Sequence, residues 1–161
     1  MAADMFLKID DIVGESKDDK HKDAIEVLAW SWGVTQSGTA HIGGGAGAGK
    51  VNVHDVTIQK LVDKSSHLLL KYCCSGKHLK TAELTTRKAG GDSPVEYVKI
   101  TMSDLIITAV NFNSSGGSLV SESVTLNFGK VKFEYSPQHA TSGATTGSIS
   151  TTWDITANKE A

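Results

Sequence analysis

The chain reads as a mainly β domain carrying one α-helix. Three observations predict this: apolar residues alternate with period two through most of the chain, a single stretch has helical cap signals at both ends, and glycine-, serine- and asparagine-rich turns separate the strands. Its 161 residues suit one domain spanning 1–161, long enough to bury roughly two thirds of its unfolded surface without a disulfide or metal. No linker divides it, and no repeat marks a solenoid.

From the N-terminus, "MFLKID" is a strand candidate, and "GESKDDKHKD" a charged, solvated loop. "EVLAWSWGVTQ" predicts one strand with two unlike faces. Leu28, Trp30, Trp32 and Val34 form a large apolar face suited to a core; Val27, Ala29, Ser31, Gly33 and Thr35 form a small one. Residues 51 to 61 again read as extended. "DKSSHLLLKYCCSG" predicts a helix over about residues 64 to 75, started by a cap at Asp63 or Ser65 and ended by Gly76. "KTAELTTRK" is a strand, and the long run "VEYVKITMSDLIITAVNFN" is expected to bend near Ser103 and Asp104. In "ESVTLNFGKVKFEYSPQ" the apolar positions move from even (Val124, Leu126, Phe128) to odd (Val131, Phe133, Tyr135), a slip that a bulge at Gly129 and Lys130 explains. "SISTTWDIT" supplies a last strand with Ile149, Thr151, Trp153 and Ile155.

Composition removes several function classes. Sixteen Lys and Arg against eighteen Asp and Glu leave a net charge of −2, which supports binding neither to nucleic acid nor to acidic lipid. "MAADMFLKIDDI" lacks the apolar centre of a signal peptide, and "HLLLKYCC", the longest apolar run, is too short for membrane insertion. Cys73 and Cys74 are adjacent, a poor geometry for a bridge, and read as reduced thiols of a cytosolic product, one in the core and one less buried.

The segment "GGGAGAGK" places Gly44, Gly49 and Lys50 at P-loop spacing. Val51 stands where a magnesium-holding hydroxyl is needed, and an extended segment follows instead of a helix. A flexible surface loop is the better reading. The six histidines, at positions 21, 41, 54, 67, 78 and 139, show no zinc spacing and read as surface or loop residues. G-x-S-x-G is absent, and the carboxylates fall in stretches read as solvated loops. Catalytic residues, metal ligands and cofactors are therefore expected to be none.

Taken together, "FLKIDDIVGES", "HKDAIEVLAWSWGVTQ", "TAELTTRKAGG", "ESVTLNFGKVKFEYSPQ" and "TTWDI" closely resemble the haemolysin-coregulated protein family, the inner-tube subunit of bacterial type VI secretion systems. The resemblance covers nearly the whole chain in order. It departs at Ala24, where tryptophan is common in the family, and at Ala29, where serine is. It implies two packed β-sheets forming a barrel-like body with one helix, as in phage tail tubes, and a homohexamer whose rings stack into a hollow tube. Sheath, spike and baseplate proteins and secreted effectors are the partners it implies. The product is expected in the bacterial cytoplasm and then outside the cell, without a signal peptide. The chain stops six residues after "TTWDI", so no enzymatic extension is expected.

Two sets of site residues follow. Burial of Trp30 and Trp32 sends Ser31 to the opposite face, which in this architecture lines the channel and contacts cargo, with a chaperone role for effectors. Gly43, Gly44, Gly45, Ala46, Gly47, Ala48 and Gly49 form a loop too long for a tight hairpin, whose bare backbone suits a contact between stacked rings. A monomeric β-barrel that binds a small ligand is the alternative, and a nucleotide hydrolase a third reading.

Overall fold

The computed structural model describes residues 3–38, 41, 49–88, 94–138 and 147–161. Among them lie eleven strands: β1 (Ala3–Ile9), β2 (Ile25–Val27), β3 (Ala29–Ser31), β4 (Val34–Thr35), β5 (Asn52–Val53), β6 (Val56–Leu61), β7 (Leu79–Lys88), β8 (Val95–Asn113), β9 (Ser121–Tyr135), β10 (Ile149–Asp154) and β11 (Lys159–Glu160). One helix, α1 (Ser66–Ser75), sits between β6 and β7. Nine strands form one sheet, and β4 and β5 form a separate ribbon.

The antiparallel hairpin β8–β9 is the spine. One edge of β9 pairs with β8 along its length, while the other is divided between β6, opposite residues 121–126, and β10, opposite residues 130–135. Beyond β8 come β7, β1 and β2. The chain leaves β2 at Leu28 and at once pairs with β6 as β3. Residues 25–31 thus join β1 to β6, and the sheet curls round on itself into a barrel, which removes most of its open edges. Inward side chains from the curled sheet meet in one core, including Leu7, Ile25, Ile58, Leu84, Ile100, Met102 and Leu126. Each such burial contributes about 1.5–3 kcal/mol. Leu69 of α1 is also fully buried in it.

The mainly β architecture, two sheets and single helix agree with expectation, and several details differ. "EVLAWSWGVTQ" is three short strands, not one, because its pairing partner changes at Leu28. The face alternation changes there too: Ile25 and Val27 are buried, Leu28 and Val34 are exposed, and only Trp30 and Trp32 of the expected apolar face pack on the core. The helix begins at Ser66, after an entry turn in which Asp63 Oδ1 accepts the Ser65 amide at 2.8 Å. Ser65 occupies the N-cap without a side-chain cap bond, and Gly76 ends the helix at φ 64°.

The predicted bulge at Gly129 and Lys130 is also corrected. Ser103 pairs with Lys130 and Leu105 with Phe128, so the register runs unbroken past Gly129. Asp104, at φ 53°, lies opposite it. The inward positions move from Met102 to Leu105 on one strand and from Phe128 to Val131 on the other, so both strands turn over together at the bend expected near Ser103 and Asp104. The real register slips are between Thr86 and Arg87 and between Ile107 and Ala109. Phe133 and Tyr135, assigned to the apolar face, are exposed beyond the core.

Candidate functional site

The outward side of β3, β6, β9 and the C-terminal half of β8 is a four-stranded surface whose composition follows from alternation. The partners of buried Ile58, Val124 and Leu126 along each strand must point away from the core, and here they are small or amide-bearing. Register sets them in rows. One row across the four strands is Ser31, Thr57, Thr125 and Ala109; the next is Ala29, Gln59, Ser123 and Asn111.

No residue in either row is charged. The hydroxyls of Thr57 and Thr125 lie 3.3 Å apart, and Gln59 Nε2 donates to Ser123 Oγ at 3.1 Å. At the border, Asp55 is held by two donors: Asn127 Nδ2 at 2.8 Å and Thr108 Oγ1 at 3.1 Å. The rest of the barrel exterior differs. A row there runs Lys8, Glu83, Thr101, Lys132 and Thr152, with ion pairs Lys99–Glu83 and Lys132–Glu134 nearby. Solvated sheet faces ordinarily carry charge, so the uncharged rows form a surface that offers hydrogen bonds without electrostatic trapping.

Ser31 is exposed in the first row, while its neighbour Trp30 turns inward and its Nε1 donates to Thr86 Oγ1 at 2.9 Å. Of the glycine-rich segment, residues 43–48 lie outside the described residues; Gly49 is exposed beside Ser37 at the base of the loop that the β4–β5 ribbon carries. After Lys50 comes β5, a strand, which agrees with setting the P-loop aside. Alternation in the sequence places Ala29 on the same small face as Ser31; the row members on β6, β8 and β9 were not singled out, although "SESVTLN" already alternates small polar with apolar or buried positions.

Other clusters are structural in geometry. A cleft of about 490 Å³ brings His54, His78, Asp104 and Lys50 together; His54 Nε2 lies 3.2 Å from Thr35 Oγ1. Among the described residues no group of three or more His, Cys, Asp or Glu side chains could hold a metal. His21 lies in a loop, one of the two settings expected of the histidines, but its side chain is mostly buried, stacked on Phe6 at 4.5 Å and paired with Glu96 at 2.5 Å. The loop around it is not merely solvated either. Asp18 binds the Arg87 guanidinium at 3.0 and 2.6 Å, and Asp4 binds it at 3.0 Å. The hydrogen bond from Arg87 is the chief cause that lowers the Asp18 carboxyl to about 2. Cys73 packs on the core and Cys74 is exposed, both as free thiols.

Comparison with known proteins agrees along the whole chain. The family described as "Type VI secretion system effector, Hcp" matches residues 6–135. Protein hcp1 of Pseudomonas aeruginosa is 49% identical over 162 residues, covering 100% of both chains. The crystal structure of Hcp1 from Salmonella typhimurium is 42% identical with a TM-score of 0.81, again covering 100% of both. The structure of a type six secretion system protein superposes with a TM-score of 0.92 at 29% identity, covering 99% of this chain and 100% of that one.

Proposed function

This chain belongs to the Hcp family of type VI secretion proteins, and on that premise we propose that it is the repeating subunit of the secretion tube. Six copies close into a ring, rings stack, and effectors travel through the channel. Made in the cytoplasm, the subunit leaves the cell by the same apparatus, after working with sheath, spike and baseplate proteins.

The observation that carries this reading is the uncharged four-stranded face. A channel wall must contact cargo without holding it, and the Ser, Thr, Gln and Asn side chains of these rows offer weak hydrogen bonds, with the methyl groups of Ala29 and Ala109 between them. The edges of that face support ring closure. Among the described residues, β3 pairs only with β6, and β8 from Ile106 to Asn113 pairs only with β9. Unpaired edges invite another chain, and a head-to-tail contact around a closed ring covers both. A ligand-binding monomer is less well supported, because the barrel interior is filled by its own side chains.

Native mass and end-on negative-stain images test the ring directly; both are expected to show six copies, unchanged by EDTA. A species of single-chain mass defeats the reading. Ser31→Gln tests the wall: the variant is expected to fold and form rings normally while retaining less effector. An unfolded or monomeric variant would instead place Ser31 in a core or subunit contact.

A further inference from the structure

An apolar groove lies between the β4–β5 ribbon and the C-terminal half of β9. Trp32, Val34, Val53, Val131, Phe133 and Trp153 wall it; it holds about 270 Å³, and among the described residues no charged side chain lines it. Val34 and Phe133 remain substantially exposed there, a state that apolar surface keeps in soluble proteins mainly where something binds.

The opposite end of the β8–β9 hairpin carries apolar residues with no internal use. Leu119 is 74% exposed, the highest value for a large apolar side chain among the described residues, and Val120 and Phe112 are exposed beside it. This tip is preformed. The Ser118 amide donates to Ser115 O at 3.2 Å, the two serine hydroxyls are 2.9 Å apart, and Gly117 holds φ 134°. From 111 to 121 no residue is charged. Seating residues 111–121 in the groove would therefore strip water from no ion of their own and require little ordering, the two main costs of association.

Ten residues of β9 separate Ser121 from Val131, roughly 30 Å of strand. The tip and the groove are opposite poles of one molecule, so a contact between them must involve two copies. We propose that the tip of one copy seats Leu119 and Val120 in the groove of a copy in the next ring; this rests on the ring-and-tube reading above. A pole-to-pole contact is heterologous, and made between rings, where its rotation does not close, it repeats along an axis, as stacking requires. The uncharged rows at Ser123 and Thr125 lie between the poles on the same strand. Each such contact therefore brings the channel faces of successive rings into line.

The test uses rings assembled before they meet. In a Cys73→Ser, Cys74→Ser background, one batch carries Leu119→Cys and the other Thr151→Cys, a groove residue. Mixed under mild oxidation, the two preformed ring populations are expected to give a disulfide-linked species of twice the chain mass, absent from either batch alone. Cross-linking that arises only when both variants are co-assembled within one ring assigns the groove to a lateral neighbour and overturns the proposal, as does an absence of cross-links in both experiments. Leu119→Ser is expected to leave ring mass and melting unchanged and weaken ring-to-ring association by about tenfold or more. Tubes of ordinary length from that variant overturn the contact. A chain that stays monomeric overturns the tube reading itself, and this proposal with it.

Discussion

Glu122 sits among hydroxyls and small residues in the sequence, yet its side chain is wholly buried. It pairs with Lys60, equally buried, and accepts a hydrogen bond from Ser66 Oγ at 2.6 Å. Lys60 Nζ also donates to Asp63 Oδ1 at 3.0 Å and to Leu61 O at 2.9 Å, so one cation ties β6, β9 and the start of α1 together. Removing one partner of such a pair strands the other charge in a medium that solvates it poorly. Lys60→Ala, which leaves the buried Glu122 carboxylate with only the Ser66 hydroxyl among its described partners, is expected to cost about 3–5 kcal/mol, measurable as a lower urea midpoint at unchanged slope. Asp18 gives a different signature. Its pKa is depressed from 3.8 to about 2, first by the Arg87 hydrogen bond and then by backbone amides, against the opposing effect of burial. The Arg87 pKa is raised, chiefly by the same bond, so it stays charged throughout. A depressed carboxylate stabilises the fold above its unfolded pKa, and that stabilisation is lost as pH falls from about 4 through about 2. Asp18→Asn is therefore expected to lower stability at neutral pH and to flatten the acid limb of the stability profile over that window. An unaltered acid limb would show the pair to be without effect. Neither pairing is legible in the sequence, because 62 and 69 positions separate the partners.

At the scale of elements, the segment from 13 to 24 is a clasp more than a loop. Gly14 donates to Asp23 O at 2.7 Å, Ser16 to Ala24 O at 3.0 Å, and Asp23 to Ser16 O at 2.8 Å. Asp18 and His21 then fasten it to Arg87 and Glu96 on β7 and β8. The glycine is required by close approach: a Cβ on Gly14 would press on the Ala24 carbonyl and stand 2.7 Å from Ile25 Cα. Backbone cannot swing aside as a side chain can. Gly14→Ala is expected to destabilise by about 1–3 kcal/mol and to speed hydrogen exchange at the Ser16 and Asp23 amides. Gly33→Ala is the control, since a Cβ there meets nothing within 4 Å, and its melting temperature should hardly move. Equal losses at both positions would remove the steric explanation. In the sequence Gly14 is simply the first residue of the charged loop "GESKDDKHKD"; which backbone lies over it depends on the return of the chain at Ala24.

For the whole molecule, the β4–β5 ribbon, between whose strands residues 43–49 fall in sequence, also walls the groove through Val34 and Val53. Shortening residues 43–49 is expected to leave ring mass and thermal stability nearly unchanged while abolishing tube growth and secretion; ordinary tubes from the shortened chain would show the glycines to be a tolerated insertion. The family, the β class, the single helix with its Gly76 stop and the bend at Asp104 were all determined by sequence alone, since each depends on local signals: alternation, cap residues and motif order. Ser31's outward direction was legible too, because Trp30 and Trp32 beside it both pack toward the core. What alternation could not show was where it breaks. The strand through Leu28 changes partner from β1 to β6, and β8 and β9 turn over together at Asp104 and Gly129. The tertiary structure decided these points, together with the buried Lys60–Glu122 pair, the uncharged rows and the two apolar poles. Each of these depends on which strands lie side by side, a property of long-range register that no local window contains.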